Sequence, residues 1–205
     1  MLRLACFAFD LNISPMVPIL SQPAFQQRAL PLSVAAWHQM IDKGLAPERA
    51  ELIRGVIIEK MSKSFLHTKL ADAMIEFLRA AVSGVFWIRQ EAPLTLKDSE
   101  PEPDISIVDG RRDDYDAHPV TARLVVEVSV SSLLVDREMA SIYAEANVAE
   151  YWILNAAERC IEVYRAPVNG CYQTLQRVAE GEVLECVALS GVSVNVADLF
   201  AGDSA

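Results

Sequence analysis

The sequence predicts a single α/β (α+β) domain in which helices flank a mixed central β-sheet. Helical segments alternate along the chain with groups of short β-rich segments, which is the order expected of such a domain. The segment LVVEV at residues 124–128 is continuously apolar apart from one glutamate, and this is typical of a central strand buried on both faces. A chain of 205 residues is long enough to bury a full core around such a sheet.

The composition excludes several classes of protein. Hydrophobic residues make up 52% of the chain and charged residues 22%, which excludes a disordered, collagen-like or coiled-coil protein. The 18 Lys and Arg against 28 Asp and Glu give a net charge of −10. This charge argues against bulk non-specific binding of nucleic acid, although a local basic patch stays compatible with it. The sequence has no apolar run of roughly 18 residues, so no transmembrane helix is expected.

The four cysteines lie far apart and form no CxxC pair. We therefore expect reduced thiols rather than a zinc site or a disulfide framework, and a cytoplasmic protein. The last three cysteines are expected in core strands, and they are Cys160, Cys171 and Cys186.

The N-terminal part of the chain is expected to differ from the rest. Residues 1–30 contain three prolines and no clear periodicity, so they are predicted to form an irregular arm before a single domain at residues 31–205. From Ser33, which can cap a helix, the apolar residues fall on one face until Gly44 ends the helix. Residues 51–59 then alternate as a hairpin or a bent strand about Gly55.

The middle of the domain contains the clearest helix and several predicted strands. Apolar residues recur every three or four positions from Leu66 to Ala81, and Gly84 ends this helix. Three β-rich runs follow at residues 85–89, 92–96 and 105–108, and the apolar strand at 124–128 comes after a polar loop.

The last third of the domain is predicted to contain one helix and four short strands. The helix begins at Asp136, and Asn147 suits its C-terminal cap. The strands are separated by turn residues, and they lie at residues 151–154, 161–164, 171–175 and 183–187. We regard the strands after residue 171 as additions to the core and as a candidate contact surface for a second copy.

Two acidic residues form the clearest chemical feature. Glu127 lies inside the apolar strand, where an isolated carboxylate costs several kcal/mol unless it is paired or bound to a cation. Asp104 follows Pro103 at the beginning of another strand. If the two strands are neighbours, both carboxylates meet at one edge and suit Mg²⁺ or Mn²⁺, which prefer oxygen ligands. The alternative from the spacing alone is a paired structural carboxylate.

The order of five segments resembles the Uma family of restriction endonucleases, within the PD-(D/E)XK nuclease superfamily. The matching segments lie between residues 51 and 164, and they read ELIRG, MSKSFLH, EPEPDISIV, LVVEVSVSS and DREMASIYAEANVAEYWIL. The resemblance implies a restriction-endonuclease-like core, a divalent cation (Mg²⁺ or Mn²⁺) and hydrolysis of phosphodiester bonds. It further implies a nucleic-acid substrate, with DNA favoured, and a homodimer.

The resemblance also assigns roles to individual residues. Asp104 matches the aspartate of the PD motif and Glu127 the second acidic metal ligand, and the backbone carbonyl of Val128 would be a third oxygen ligand. Glu51 matches an acidic residue at the start of the core. His67 matches a histidine at the start of the long helix, where it would contact phosphate or support a water molecule.

One position departs from the family. Similar sequences carry a lysine four residues before the tyrosine of a Tyr-Ala pair, but here that position is Met139, which can neither carry charge nor orient a water molecule. Lys63 is the preferred replacement, with Lys60 and Arg137 as the other candidates.

Three functions stay open at this stage. The first is a metal-dependent endonuclease, and the second is a degenerate nuclease core that acts as a binding or assembly module without cleaving. The third is an acid–base pair acting on sugars, which would depend on the separation of Asp104 and Glu127 and on an aromatic-lined cleft.

Overall fold

The computed structural model describes residues 22–82 and 84–201. The chain divides into two units, Met1–Pro31 and Leu32–Ala205. In the described part of the first unit, residues Pro23–Gln26 form one helical turn, α1. Most of the predicted N-terminal arm lies outside the described residues, so the predicted domain boundary stays a prediction. None of the helices in the described residues is long and apolar enough to cross a bilayer.

The second unit begins with helices and strands that alternate in small groups. The first group comprises α2 (Val34–Asp42), β1 (Ala50–Ile53), β2 (Val56–Glu59), α3 (Phe65–Ala81), β3 (Phe86–Gln90), β4 (Ile105–Asp109), β5 (Leu124–Ser129) and α4 (Leu133–Glu145). The second comprises β6 (Glu150–Asn155), β7 (Cys160–Val168), β8 (Cys171–Ala179), β9 (Val183–Glu185), β10 (Ser193–Asn195) and α5 (Val196–Leu199).

Six strands form the central sheet, in the order β3-β4-β5-β6-β7-β8. Strands β5 and β6 run parallel, and the other neighbouring pairs are antiparallel. The crossover between β5 and β6 is α4, as a parallel pair requires. Two further pairs, β1–β2 and β9–β10, form separate hairpins. The predicted fold class, with its mixed central sheet and extra C-terminal strands, is confirmed.

Each face of the sheet is covered by one long helix. Helix α3 packs against one face together with the C-terminal hairpin and α5, and the core there includes Met74, Val126 and Trp152. Helix α4 packs against the opposite face, where Tyr143 and Ile153 are buried. Because side chains alternate along a strand, LVVEV supplies apolar side chains to both cores, as its composition predicts.

Local sequence signals fix the ends of several elements. The hydroxyl groups of Ser33 and Ser64 accept hydrogen bonds from backbone N–H groups in the first turns of α2 and α3, as helix caps do. Arg54 and Gly55 both have positive φ angles, of 51° and 74°, so they form the two-residue turn that matches the twist of the β1–β2 hairpin.

Three predictions about the elements are corrected. Residues 92–96 are not a strand: Pro93 lacks an N–H, and Leu94 instead donates to the carbonyl of Pro101 in a loop that covers the core. Helix α4 begins at Leu133, three residues before Asp136. Cys160 is a buried free thiol in β7 as expected, but Cys171 is exposed in β8, and Cys186 is buried just after the end of β9.

Candidate active site

Strands β4 and β5 bring Asp104 and Glu127 together. Ile105 pairs with Val126 in the antiparallel register, so the next positions along the two strands place Asp104 opposite Glu127. The backbone N–H of Asp104 donates to Oε2 of Glu127 at 3.1 Å. The N–H of Val128 in turn donates to Oδ2 of Asp104 at 2.8 Å. The two carboxylates therefore lie side by side at one end of two neighbouring strands, where β4 begins and β5 ends.

The carboxylate of Asp104 is held by two side chains from the start of α3. Lys63 Nζ donates to Oδ1 at 2.8 Å, and His67 Nε2 lies 3.0 Å from Oδ2. Because Ser64 caps α3, Lys63 and His67 lie on either side of the helix start and both reach Asp104. Burial opposes ionisation of Asp104, but the hydrogen bonds and charges of His67 and Lys63 outweigh it and lower its pKa.

Lys63 also contacts Glu91, with Nζ 2.9 Å from Oε1. Burial works against the charge of Lys63, but its hydrogen bonds and ion pairs with Asp104 and Glu91 outweigh burial and raise the pKa of the ammonium group. Lys63 therefore stays a cation at neutral pH.

Among the described residues, the hydrogen-bond partners of Glu127 include no cation. Its Oε1 accepts a hydrogen bond of 2.9 Å from the hydroxyl of Tyr143 on α4. Desolvation, and then repulsion from Asp104 and Asp136, raise the pKa of Glu127 well above its ordinary value. Two neighbouring carboxyl groups thus have pKa values shifted in opposite directions, which is a frequent property of sites that bind cations or transfer protons.

Asp136 is a third carboxyl group at this site, and it is buried; the sequence predicts it only as the start of a helix. It lies in the first turn of α4 and accepts a hydrogen bond of 2.6 Å from the hydroxyl of Ser132. Burial raises its pKa. The sequence does carry a signal for it, because an Asp in a first helical turn directly after the Glu127 strand lies near that strand's end.

These residues line one cleft of about 260 Å³. Glu51 lies in its wall and accepts a hydrogen bond of 3.1 Å from the backbone of Glu102, and burial raises the pKa of Glu51. The described lining contains no Phe, Tyr or Trp. The complete lining is Glu51, Ile58, Glu59, Lys60, Met61, Ser62, Lys63, Ser64, His67, Glu102, Asp104, Glu127, Val128, Val130, Ser131, Ser132, Val135, Asp136 and Met139.

The three candidate cations have different surroundings. Lys63 contacts Asp104 directly, whereas Lys60 forms an ion pair with Glu102 in the cleft wall. Arg137 does not line the cleft: its guanidinium binds Glu162 through two hydrogen bonds. Met139 does line the cleft, so the position expected to carry the family lysine faces the site with an uncharged side chain.

The donor atoms at this edge suit a hard cation. Asp104 and Glu127 supply carboxylate oxygens, and because a strand residue points its N–H and C=O to the same side, the carbonyl of Val128 faces the side of Asp104. Among the described residues, no three or more His, Cys, Asp or Glu side chains cluster as a complete metal cage. Mg²⁺ seldom needs one, since it usually keeps several water ligands and binds one or two carboxylates.

Comparison with known proteins gives a family and a fold. The family model Uma2, described as "Putative restriction endonuclease", matches residues 37–197. A crystal structure of a "putative nuclease belonging to DUF820" from Anabaena variabilis ATCC 29413 has a TM-score of 0.69 and 17% identity, and covers 83% of this chain and 98% of its own. This likeness establishes a shared fold.

The type IIG restriction endonuclease BpuSI has a TM-score of 0.32 and 15% identity, over 66% of this chain and 14% of its own. No curated protein matches the chain.

Proposed function

Because the chain belongs to the Uma2 family of restriction endonucleases, we propose that it hydrolyses phosphodiester bonds of nucleic acid with a divalent cation bound at Asp104 and Glu127. The observation that carries this proposal is the hydrogen bond of 3.1 Å from the backbone of Asp104 to Glu127, which ties the two carboxyl groups to one sheet edge. The description of the family supports the proposed reaction class, and the two adjacent carboxyl groups support the proposed position of the cation.

The cation that suits these ligands is Mg²⁺ or Mn²⁺, held by Asp104, Glu127 and the carbonyl of Val128. When bound, such a cation polarises a phosphate oxygen and lowers the pKa of a water molecule. Asp104, whose pKa is lowered, is ionised at neutral pH and ready to bind. Glu127, whose pKa is raised, must give up its proton, so cation affinity should rise with pH.

The other residues of the cleft would act on the phosphate and on water. Lys63 keeps its charge and can neutralise a phosphate oxygen in the place of the missing lysine. His67 Nδ1 is buried without a hydrogen-bond partner in the described residues, so this nitrogen can hold a buried water molecule. Glu51 fixes the backbone of Glu102 and brings a further carboxyl group to the wall.

The decisive experiment is cleavage of plasmid DNA and of oligonucleotides with Mg²⁺ or Mn²⁺. We expect Asp104→Ala to lower the rate about 10²-fold or more, because it removes a ligand of the cation. Asp109→Ala is the matched control, since Asp109 lies exposed at the other end of β4 and pairs with Arg123. Cleavage by Asp104→Ala at the wild-type rate would remove the assignment.

A second candidate function rests on Met139, the uncharged residue that faces the cleft. On this account the protein is a degenerate nuclease core that binds nucleic acid without cutting it. Met139→Lys should then create metal-dependent cleavage in a protein that otherwise has none. Robust cleavage by the wild type, unchanged by Met139→Lys, would exclude this candidate.

We also propose that the protein is a cytoplasmic homodimer acting on DNA. Closed two-fold dimers are the commonest assemblies, and a dimer presents two sites to two strands. The C-terminal segment at residues 171–196 carries exposed apolar side chains suited to a contact, and these are Leu175, Val183 and Val187. The mass of the protein in solution, measured by light scattering, tests whether the protein is a dimer.

A further inference from the structure

Four tyrosines form a continuous stack on the face of the sheet that α4 covers, and we call this stack the tyrosine column. It begins at Tyr143 on α4 and continues through the strands β6, β7 and β8 with Tyr151, Tyr164 and Tyr172. Successive ring centroids lie 4.9, 5.6 and 6.0 Å apart, and the rings are tilted against each other. Aromatic pairs of this geometry attract each other, so the column restrains the position of each ring.

The hydroxyl groups of the column differ in the acceptors they contact. Tyr151 donates to the backbone carbonyl of Asp136 at 2.8 Å, and Tyr172 donates to another backbone carbonyl at 2.9 Å. Tyr143 instead donates to Oε1 of Glu127 at 2.9 Å. The column therefore ends, at Tyr143, on a carboxyl group of the candidate site.

The hydroxyl of Tyr143 is a donor with a fixed position. The side chain is fully buried, and its ring packs against Tyr151. Burial, and after it the charge of Glu127, raise the pKa of Tyr143 well above its ordinary value, so the hydroxyl keeps its proton at neutral pH. A side chain that is locked by packing can hold the group it contacts in one orientation.

Glu127 is held at both of its oxygens. Oε1 accepts the hydrogen bond from Tyr143, and Oε2 accepts the hydrogen bond of 3.1 Å from the backbone N–H of Asp104. An ionised carboxylate has about four lone-pair sites, so each oxygen keeps about one for a cation. The two hydrogen bonds together fix the plane of the carboxylate beside Asp104.

We propose that Tyr143 is a positioning residue, whose hydroxyl orients Glu127 to bind the divalent cation together with Asp104. This inference rests on the proposed function, because it concerns the cation site proposed there. Without the hydroxyl, Glu127 would lose one of its two hydrogen bonds, and its carboxylate could rotate away from Asp104. Removing a group that orients a metal ligand typically weakens metal binding about 10–100-fold.

The test measures the binding of Mn²⁺ to the full chain by isothermal titration calorimetry, without nucleic acid and at neutral pH. We expect Tyr143→Phe, which removes one oxygen and keeps the ring, to weaken Mn²⁺ binding about 10–100-fold. In cleavage assays, the Mn²⁺ concentration that gives the half-maximal rate should rise by the same factor. A tyrosine that only stabilises the fold would leave both quantities unchanged.

Tyr172→Phe is the matched control, since Tyr172 lies at the other end of the column and its hydroxyl donates to the carbonyl of Val148. Its Mn²⁺ affinity should stay at the wild-type level.

A second measurement uses the wild type, so it decides the question even where Tyr143→Phe does not fold. Tyrosine is labelled with ¹³C at the ring carbon that bears the hydroxyl, and the resonances are assigned by elimination with phenylalanine variants of the other tyrosines. Mg²⁺ should shift the resonance of Tyr143, because the cation binds the carboxylate that its hydroxyl contacts, and should leave that of Tyr172 in place.

Three results would overturn the inference. They are equal Mn²⁺ affinities of the wild type and Tyr143→Phe, a Tyr143 resonance that does not respond to Mg²⁺, and an equal loss of affinity in Tyr172→Phe. The outcomes also separate the two proposals. Cleavage with wild-type Mn²⁺ affinity in Tyr143→Phe removes only this inference, whereas Mn²⁺ binding that depends on Tyr143 without any cleavage removes only the proposed function. A wild type that binds no Mn²⁺ removes both.

Discussion

Two glutamates in neighbouring strands have opposite surroundings. Glu150 is the first residue of β6 and Glu127 lies near the end of β5, and the two strands run parallel. Both side chains come from apolar segments of the same sheet, so the sequence alone gives them similar costs of burial. The difference lies in what each carboxylate meets after folding.

Glu150 is only 1% exposed, and its oxygens are fully used by protein groups. Arg165, its direct cross-strand partner on β7, forms an ion pair with Oε1. The other oxygen accepts a hydrogen bond of 2.8 Å from the backbone of Ala188 and one of 3.1 Å from the thiol of Cys186. Glu150 thus links three elements and has no capacity left for a ligand.

Glu127 receives two hydrogen bonds and no cation from the described residues. It instead lies beside Asp104 and near Asp136, which together with burial raise its pKa. A buried carboxyl group with carboxyl neighbours destabilises the fold, and proteins retain such arrangements mainly at functional sites. The comparison teaches that Glu150 is satisfied by protein donors, whereas Glu127 is half-buried and meets no cation among the described residues.

The largest effect on stability should come from Glu150→Ala. Removing one member of a buried ion pair leaves the other charge without a partner, so we expect the free energy of unfolding to fall by about 3–5 kcal/mol in urea titrations. Glu145→Ala is the control, because Glu145 pairs with Arg54 at an exposed site and should lose at most about 1 kcal/mol. Equal losses in both variants would show that the Glu150 contacts are not structural.

Glu127→Gln should have the opposite effect on stability. The folded-state pKa of Glu127 is raised, so the folded protein binds the proton more tightly than the unfolded chain. The stability that the protonated Glu127 contributes is fully present below the pKa of the unfolded chain. It is lost as pH rises through the pKa of the folded protein. At neutral pH the glutamine variant should therefore melt at a higher temperature, by about 2–4 °C for each 1 kcal/mol relieved, while metal-dependent cleavage is lost.

Glu162→Gln is the matched control for this pH dependence. The hydrogen bond from Arg137 is the main cause that lowers the pKa of Glu162, so its contribution is present above the unfolded pKa and is lost as pH falls. Relative to wild type, the melting temperature of Glu127→Gln should rise by an amount that grows with pH. The melting temperature of Glu162→Gln should fall by an amount that becomes smaller toward acid pH. Stabilities of wild type and Glu127→Gln that stay parallel at every pH would contradict the assigned pKa shift.

The sequence marks Glu127 as an unusual residue, but it does not indicate the role of Glu150. The interruption of LVVEV by one charge marks Glu127 in the sequence, and Pro103 marks the strand start at Asp104. Glu150 falls at the edge of an apolar run, and its partner Arg165 is known only from the register of β6 and β7. Register depends on tertiary packing, which no short sequence window contains.

The same limit explains the other differences from expectation. The apolar residues Leu94 and Leu96 predict a strand, but both are buried in a loop whose backbone hydrogen bonds go to residues 101 and 99. Apolar burial and strand pairing are separate properties, and a short apolar run cannot distinguish them. For Asp136 the sequence indicates a position near the end of the Glu127 strand, but the repulsion between the two carboxyl groups follows only from the packed structure.

The smallest effect on the cleavage rate should come from Arg137→Ala, which tests whether this cation replaces the missing lysine. Arg137 is one of the three candidate cations, but its guanidinium pairs with Glu162 and is 43% exposed. Its partner Glu162 is buried, so Arg137→Ala can lower stability, but Arg137 does not line the cleft.

Cleavage rates should therefore stay at the wild-type level in Arg137→Ala, whereas Lys63→Ala should lower them about 10²-fold through loss of a charge that contacts Asp104. The pair of variants compares two cations that differ in the carboxylate they contact, as Glu127 and Glu150 differ in their partners. If Arg137→Ala lost activity while Lys63→Ala kept it, the guanidinium would have to leave Glu162 during the reaction, and the role proposed for Lys63 would be wrong.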